Sequence, residues 1–137
     1  LNKHCRCGAA FKLRMRTVVY ARKVKITRVP VYCCSGCGSH EVYAGVKSDI
    51  GKLIGRLGAR PRKQTISFDE LNECAGVLSQ VLDLGNRTVQ PDAAQRAAQE
   101  RTNELLDLWL IASSLGDEHW KSELSERLAQ LRHAYIS

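Results

Sequence analysis

The chain has no acidic residue before Glu41, although Asp and Glu total 14 over its 137 residues. A merely solvated surface mixes charges of both signs, so a stretch this one-sided points to an acidic partner. Long apolar runs are also missing. Nothing approaches the roughly 18–20 apolar residues of a membrane-spanning helix, so no membrane role is expected. No signal peptide is visible, since Leu1-Asn2-Lys3-His4-Cys5 runs directly into a cysteine motif; a cytoplasmic protein is the expectation. Aromatic residues make up only 6%. With Tyr20, Tyr32 and Tyr43 as the few stacking platforms, sequence-specific single-strand recognition is not indicated. There is no internal repeat and no low-complexity tract.

Catalytic constellations are absent too. No Ser/His/Asp or Cys/His set can be assembled, and His119 and His133 read as surface or boundary residues. Gly45-Val-Lys-Ser-Asp-Ile-Gly51-Lys52-Leu53 imitates a phosphate loop but fails it. Five residues separate the glycines where four are required, and Leu53 stands where a hydroxyl would bind Mg²⁺. A non-enzymatic protein is expected.

What the sequence does have is cysteine. Cys5, Cys7, Cys33, Cys34 and Cys37 fall in the first 37 residues, and Cys74 stands alone. The spacings C-x-C and C-x-x-C are too short for ordinary disulfides and read as metal ligands in a reducing compartment. Zinc takes four soft ligands in a tetrahedron, commonly from two knuckles. Cys5-Arg6-Cys7-Gly8 and Cys34-Ser35-Gly36-Cys37-Gly38 supply them, each closed by a glycine that lets the backbone turn. The expected site is one structural Zn²⁺ on Cys5, Cys7, Cys34 and Cys37. Four protein ligands leave no position for an activated water. His4 competes with Cys5, because it too stands near Cys7 at ligand spacing. Cys33 competes with Cys34, but only Cys34 makes C-x-x-C with Cys37. Cys74 falls on an apolar helical stripe and reads as a small buried hydrophobe.

Charge divides the chain. Residues 1–63 carry fifteen Lys and Arg against two acids, and residues 64–137 carry six against twelve. The balances, +13 and −6, match the formal net charge of +7. A zinc tetrathiolate adds −2, leaving the first half near +11. Two units are expected, 1–63 and 64–137. On an extended strand Lys12, Arg14 and Arg16 share one face. Lys23 and Lys25 would flank them, and Arg60, Arg62 and Lys63 form a further cluster. These eight are the candidate nucleic-acid contacts, with an acidic protein surface as the alternative partner.

The layout expected is α+β. Phe11, Leu13 and Met15 alternate with Lys12, Arg14 and Arg16, the period of a half-buried strand. Ala21-Arg22-Lys23 turns the chain into a second β-rich run, Val24–Val29, with Pro30 at an edge or strand end. Glu41–Ala44 make a third strand, completing a zinc ribbon. Ser48 or Asp49 would cap a short helix bearing Ile50, Leu53, Ile54 and Leu57, weakened by Gly51, Gly55 and Gly58. Residues 59–64 read as a basic linker. Ser67-x-x-Glu70 has the form of a capping box, opening one helix with Phe68, Leu71, Cys74, Ala75, Leu78, Val81 and Leu82 inward and ending at Gly85-Asn86. A second helix starts at Pro91 and stops at Gly116, and Asp117 caps a third carrying Trp120, Leu124, Leu128, Leu131 and Tyr135. This three-helix unit offers a surface for a homodimer or another partner.

Cys5-Arg6-Cys7-Gly8-Ala9-Ala10-Phe11 resembles the first knuckle of CSL-type zinc fingers. Val29-Pro30-Val31-Tyr32-Cys33-Cys34-Ser35-Gly36-Cys37-Gly38 is similar to the V-P-x-x-x-C-x-x-C-G segment of YgiT-type zinc fingers, the N-terminal domain of MqsA-like antitoxins. The likeness covers residues 4–45. It implies a zinc-binding domain that acts in toxin binding. The C-x-C pair departs from that family's C-x-x-C, and residues 65–137 show no counterpart of its helix-turn-helix. The composite expectation is a regulatory or adaptor protein whose basic half contacts nucleic acid. The alternative is a protein-only module, antitoxin-like or an inhibitor of a regulator.

Overall fold

The computed structural model describes residues 5–83 and 91–132. Two long strands, β1 (Phe11–Tyr20) and β2 (Val24–Cys34), form an antiparallel hairpin. The expected alternation holds where it was clearest: Phe11 and Leu13 are buried, while Lys12, Arg14 and Arg16 are exposed. Ala21 and Arg22 turn the chain with φ of 53° and 60°, and Lys23 N–H donates to the Tyr20 carbonyl. Two successive left-handed residues twist a hairpin turn in the same sense as its strands.

The hairpin contains a bulge. Arg16 pairs with Val29 but Val18 pairs with Ile26, so Thr27 and Arg28 together oppose Thr17. Arg28 takes φ of 57°, a left-handed conformation costly for a residue with a Cβ. Its side chain meets Asp83 at 2.6 Å, Asp69 at 3.1 Å and the Ser79 hydroxyl at 2.6 Å. Arg28 is thereby withdrawn from the basic surface and spent on the helical half.

Strand β2 is central. Strand β3 (His40–Val42) pairs antiparallel with its end, from Val31 to Cys33. Strand β4 (Gln64–Ser67) pairs parallel with its start, from Val24 to Thr27. The expected third strand is therefore shorter, because Tyr43 and Ala44 turn into a helix. Pro30 lies inside β2 rather than at its end. It occupies the stretch of β2's second edge that neither β3 nor β4 covers. Its carbonyl accepts from Tyr43 N–H at 2.9 Å, so the missing Pro N–H would have faced this gap and not β1.

Helix α1 (Ala44–Leu57) starts four residues before the expected Ser48 or Asp49 cap. Tyr43 occupies the N-cap, and its side chain does not cap the helix. Burial of Tyr43 and Val46 anchors the start instead. Gly51 and Gly55 are accommodated in the helix, and Gly58, at φ 75°, ends it. Tyr20 hydroxyl donates to the Gly58 carbonyl at 2.6 Å and ties the hairpin tip to that end.

The long helix expected after Ser67 is broken. A single turn, α2 (Phe68–Leu71), gives way at Asn72 to α3 (Glu73–Asp83). The capping box does not form, because the Ser67 hydroxyl donates to the Asp69 carboxylate rather than capping the backbone. Asn72 is the effective cap. Its side-chain oxygen accepts from Ala75 N–H at 2.9 Å while its amide donates to Asp49 at 2.7 Å. A buried amide that satisfies both ends can interrupt a helix. Helices α4 (Pro91–Ser114) and α5 (Glu118–Leu131) follow as an αα-hairpin, with Gly116 at φ 66° and Asp117 accepting from Trp120 N–H at 3.0 Å. Gly85-Asn86, His133 and Tyr135 lie outside the described residues. The fold is α+β: among the described residues, a four-stranded sheet with five helices. Position 63/64 coincides with the start of β4. One buried cluster runs from Phe11 and Ile26 through Leu53 and Phe68 to Leu105 and Leu124.

Candidate metal centre

The hairpin register brings the two cysteine knuckles together, because Phe11 at the start of β1 pairs with Cys34 at the end of β2. The first knuckle folds on itself: Gly8 N–H donates to the Cys5 carbonyl, and Cys5 N–H to the Ala9 carbonyl, both at 2.9 Å. The second closes through Gly38 N–H to the Cys34 carbonyl and Cys34 N–H to the Ser39 carbonyl. Gly8 and Gly38 take φ of 92° and 75°, as the turn after each last thiol requires. Gly36 is needed for space. A Cβ there would lie 2.9 Å from that of Ala9 and 3.3 Å from Cys7 Sγ.

The sulfurs of Cys5, Cys7, Cys34 and Cys37 all lie within 4.8 Å of one another. Cys5 and Cys37 are 3.6 Å apart, Cys7 and Cys34 3.4 Å. A metal held at about 2.3 Å from each sulfur needs edges of about 3.8 Å, so the donor set fits a tetrahedral thiolate site with small adjustments. The surroundings favour thiolates at the second knuckle. Ser39, through its hydroxyl at 3.0 Å and its amide, draws the Cys37 thiol down to about 6. Backbone N–H groups of Cys37 and Gly36 lower Cys34 against the effect of burial. At Cys7 the Ala9 amide lowers the value, but neighbouring thiols and burial carry it up to about 11. A bound cation would reverse that last effect.

His4, the competitor for the Cys5 position, lies outside the described residues. Cys33 points away from the cluster; its thiol faces the Val31 carbonyl at 3.8 Å. Cys74 is fully buried, and burial pushes its thiol up to about 12, as befits an inert core residue. Ser39 and Gly36 were not recognised from sequence as parts of the site. The available signal was the position of Gly36 inside the C-x-x-C-G turn and of Ser39 directly after it.

The candidate nucleic-acid residues fall in two places. Lys12, Arg14 and Arg16 project from β1 beside the second knuckle. Lys23 and Lys25 stand at the far end of the hairpin, where Gln64 N–H donates to the Lys23 carbonyl and Lys25 pairs with Thr65. That pairing gathers the exposed Arg62 and Lys63 to the hairpin tip, with exposed Arg60 just before them. At about 3.3 Å per residue, the five residues from Arg14 to Val19, the partner of Lys25, separate the two clusters by roughly 17 Å. Among the described residues, none of these eight cations forms an ion pair. No helix of the described residues is long and apolar enough to cross a membrane.

Sequence did not reveal a partly buried charge cluster in the helical half. Glu73, at the start of α3, receives Arg101 at 2.8 Å and Arg127 at 2.7 Å. A cleft of about 590 Å³ between α1, α2 and α5 is lined by residues that include Ser48, Asp49, Lys52, Arg56, Asn72 and Glu126. Compared with known protein families, curated proteins and solved structures, the chain matches none.

Proposed function

We propose that this chain is a non-enzymatic regulatory or adaptor protein, cytoplasmic, built on one structural zinc ion per chain. Cys5, Cys7, Cys34 and Cys37 would hold the ion in a zinc-ribbon-like sheet. Its basic face would contact a nucleic-acid backbone, and its helices would carry a dimer or partner surface. The observation that carries the reading is the juxtaposition of the four-thiol cluster with exposed cations that have no acidic partner among the described residues. A metal-stapled sheet edge gives such cations a fixed spacing. On the helical side, α4 exposes Leu106, Leu110 and Ile111, and Leu115 just past its end is exposed too.

Backbone binding draws its free energy largely from counterion release, so log K should fall with log salt at about −0.9 per phosphate neutralised. The triple change Lys12→Ala, Arg14→Ala, Arg16→Ala should reduce that slope on every duplex sequence alike while metal content stays unchanged. Negligible duplex and RNA binding near 50 mM salt would refute the reading.

The second reading is a protein-only module using the ribbon as its interface, antitoxin-like or an inhibitor of a regulator. It is favoured by the resemblance of residues 4–45 to YgiT-type zinc fingers. Under it, the same triple change would abolish capture of one acidic protein and leave no nucleic-acid affinity to lose.

A further inference from the structure

Strand register assembles something beside the metal centre that the sequence order hides. Lys12 on β1 pairs with Cys33 on β2, and Cys33 pairs with His40 on β3. Cross-strand partners share a face of the sheet. Arg14 and Arg16 follow Lys12 on that face at the strand period. Together with Ser35 and the buried Cys34 of the metal cluster, these residues line a pocket of about 140 Å³. Three cations, an imidazole and a hydroxyl therefore converge around one partly exposed thiol.

We infer that this pocket seats a single phosphate group, with Lys12, Arg14 and Arg16 as its cationic wall and Cys33 in its floor. The inference deepens the proposed nucleic-acid role and rests on the same basic face, but it assigns a discrete site rather than a diffuse patch. The chemistry fits a phosphate better than a lone carboxylate. Each phosphate oxygen accepts more than one hydrogen bond, so two guanidinium forks, an ammonium and a hydroxyl can share the same few oxygens. A zinc tetrathiolate next door would carry −2, so part of the cationic wall would neutralise it. The three cations exceed that charge, and they form no ion pair among the described residues. The phosphate could come from a nucleic-acid backbone or from free phosphate.

Cys33 reports on occupancy. Of the two cysteines outside the metal cluster, Cys74 is fully buried, which leaves Cys33 as the accessible thiol. The full-length, metal-loaded protein is alkylated with neutral iodoacetamide, with Cys33→Ser identifying the labelled site. The probes are a short mixed-sequence duplex and, separately, inorganic phosphate. A probe at ~10 times its dissociation constant should slow Cys33 labelling about tenfold. The double change Lys12→Ala, Arg14→Ala should remove the protection, with native mass spectrometry confirming retained metal.

Protection by both probes, or by duplex alone, supports the seat and identifies the polymer as a source. Protection by phosphate without any duplex binding supports the seat as a free-phosphate site and refutes the nucleic-acid role. Duplex binding with Cys33 labelled at its free rate overturns the seat and leaves that role standing. Failure of both binding and protection overturns both. Protection that survives the double change also overturns the seat, because the cations would then serve only to screen the thiolate cluster.

Discussion

Removing the metal should unfold one end of the sheet and spare the other. The sulfur pairs stand at 3.4 and 3.6 Å, a few tenths of an ångström from the about 3.8 Å edge of a zinc tetrathiolate. Little rearrangement is needed on binding, so most of the apparent 10–16 kcal/mol typical of structural zinc is available to the fold. A whole domain is commonly stable by only about 5–15 kcal/mol. The knuckles flank the base of the hairpin, where Phe11 pairs with Cys34 and Tyr32 meets the Phe11 and Tyr43 rings at 5.7 Å, one tilted and one edge-on. Without metal the knuckles themselves, largely exposed, have little apolar burial to hold them, whereas Phe11, Leu13, Val31 and Tyr32 beside them belong to the core. The far end keeps fully buried Val24 and Ile26 and its pairing with β4. Hydrogen exchange with and without chelator should therefore show protection lost over residues 5–10 and 34–40, and retained over 24–27 and the helices. Cys34→Ser or Cys37→Ser should reproduce the pattern, as should Cys5→Ser, whereas His4→Ala should not. Stoichiometric absence of metal in reducing buffer would refute the reasoning, as would exchange unaffected by chelation.

Two further outcomes concern the helices. Burial would raise the Glu73 carboxyl, but Arg101 and Arg127 outweigh it and hold it below its ordinary value of 4.5. A depressed folded value means the stabilisation is present above that pH and is lost as pH falls through the folded value. Glu73→Gln should cost about 1–3 kcal/mol at neutral pH, less than a fully buried pair because both arginines are about one-third exposed. The difference in Tm from the parent should shrink toward acid pH, and a pH-independent difference would contradict this origin. For the apolar face of α4, Leu110→Glu should shift sedimentation of a self-associated form to the monomer without lowering Tm, since Leu110 is 61% exposed. A concentration-independent monomer before the change would remove the dimer from consideration.

The elements legible in the sequence are those whose signal is local. Phe11 to Arg16 alternate, and the strand obeys. Asp117 and Gly116 bracket α5 as their residue types require. Elements fixed by distant partners were not legible. Strand β4 carries no alternation and no apolar run; it exists because Val24 to Thr27 offer it an edge across forty residues of chain. The break at Asn72 has the same origin. Ser67-x-x-Glu70 looks like a cap locally, yet Asp49 on α1 fixes the Asn72 amide and makes that residue the cap. Arg28 is the sharpest case. Its left-handed backbone has no signal in an Arg flanked by β-formers, and its ion pairs with Asp69 and Asp83 lie far along the chain.

The candidate site divides along the same line. Four thiols are recognisable because each knuckle is a turn of a few residues, and spacing alone constrains where its sulfurs point. The phosphate seat depends instead on register across three strands. Shifting β3 by one residue against β2 would carry His40 to the opposite face and dissolve the Lys12–Cys33–His40 row. Charge counting located the basic half but not its division into a cluster beside the metal and another at the hairpin tip. Metal and charge are thereby coupled. The knuckles set the end of β2, the end of β2 sets the position of β3, and β3 completes the pocket. A chelated protein should then lose Cys33 protection even though Lys12, Arg14 and Arg16 are all still present.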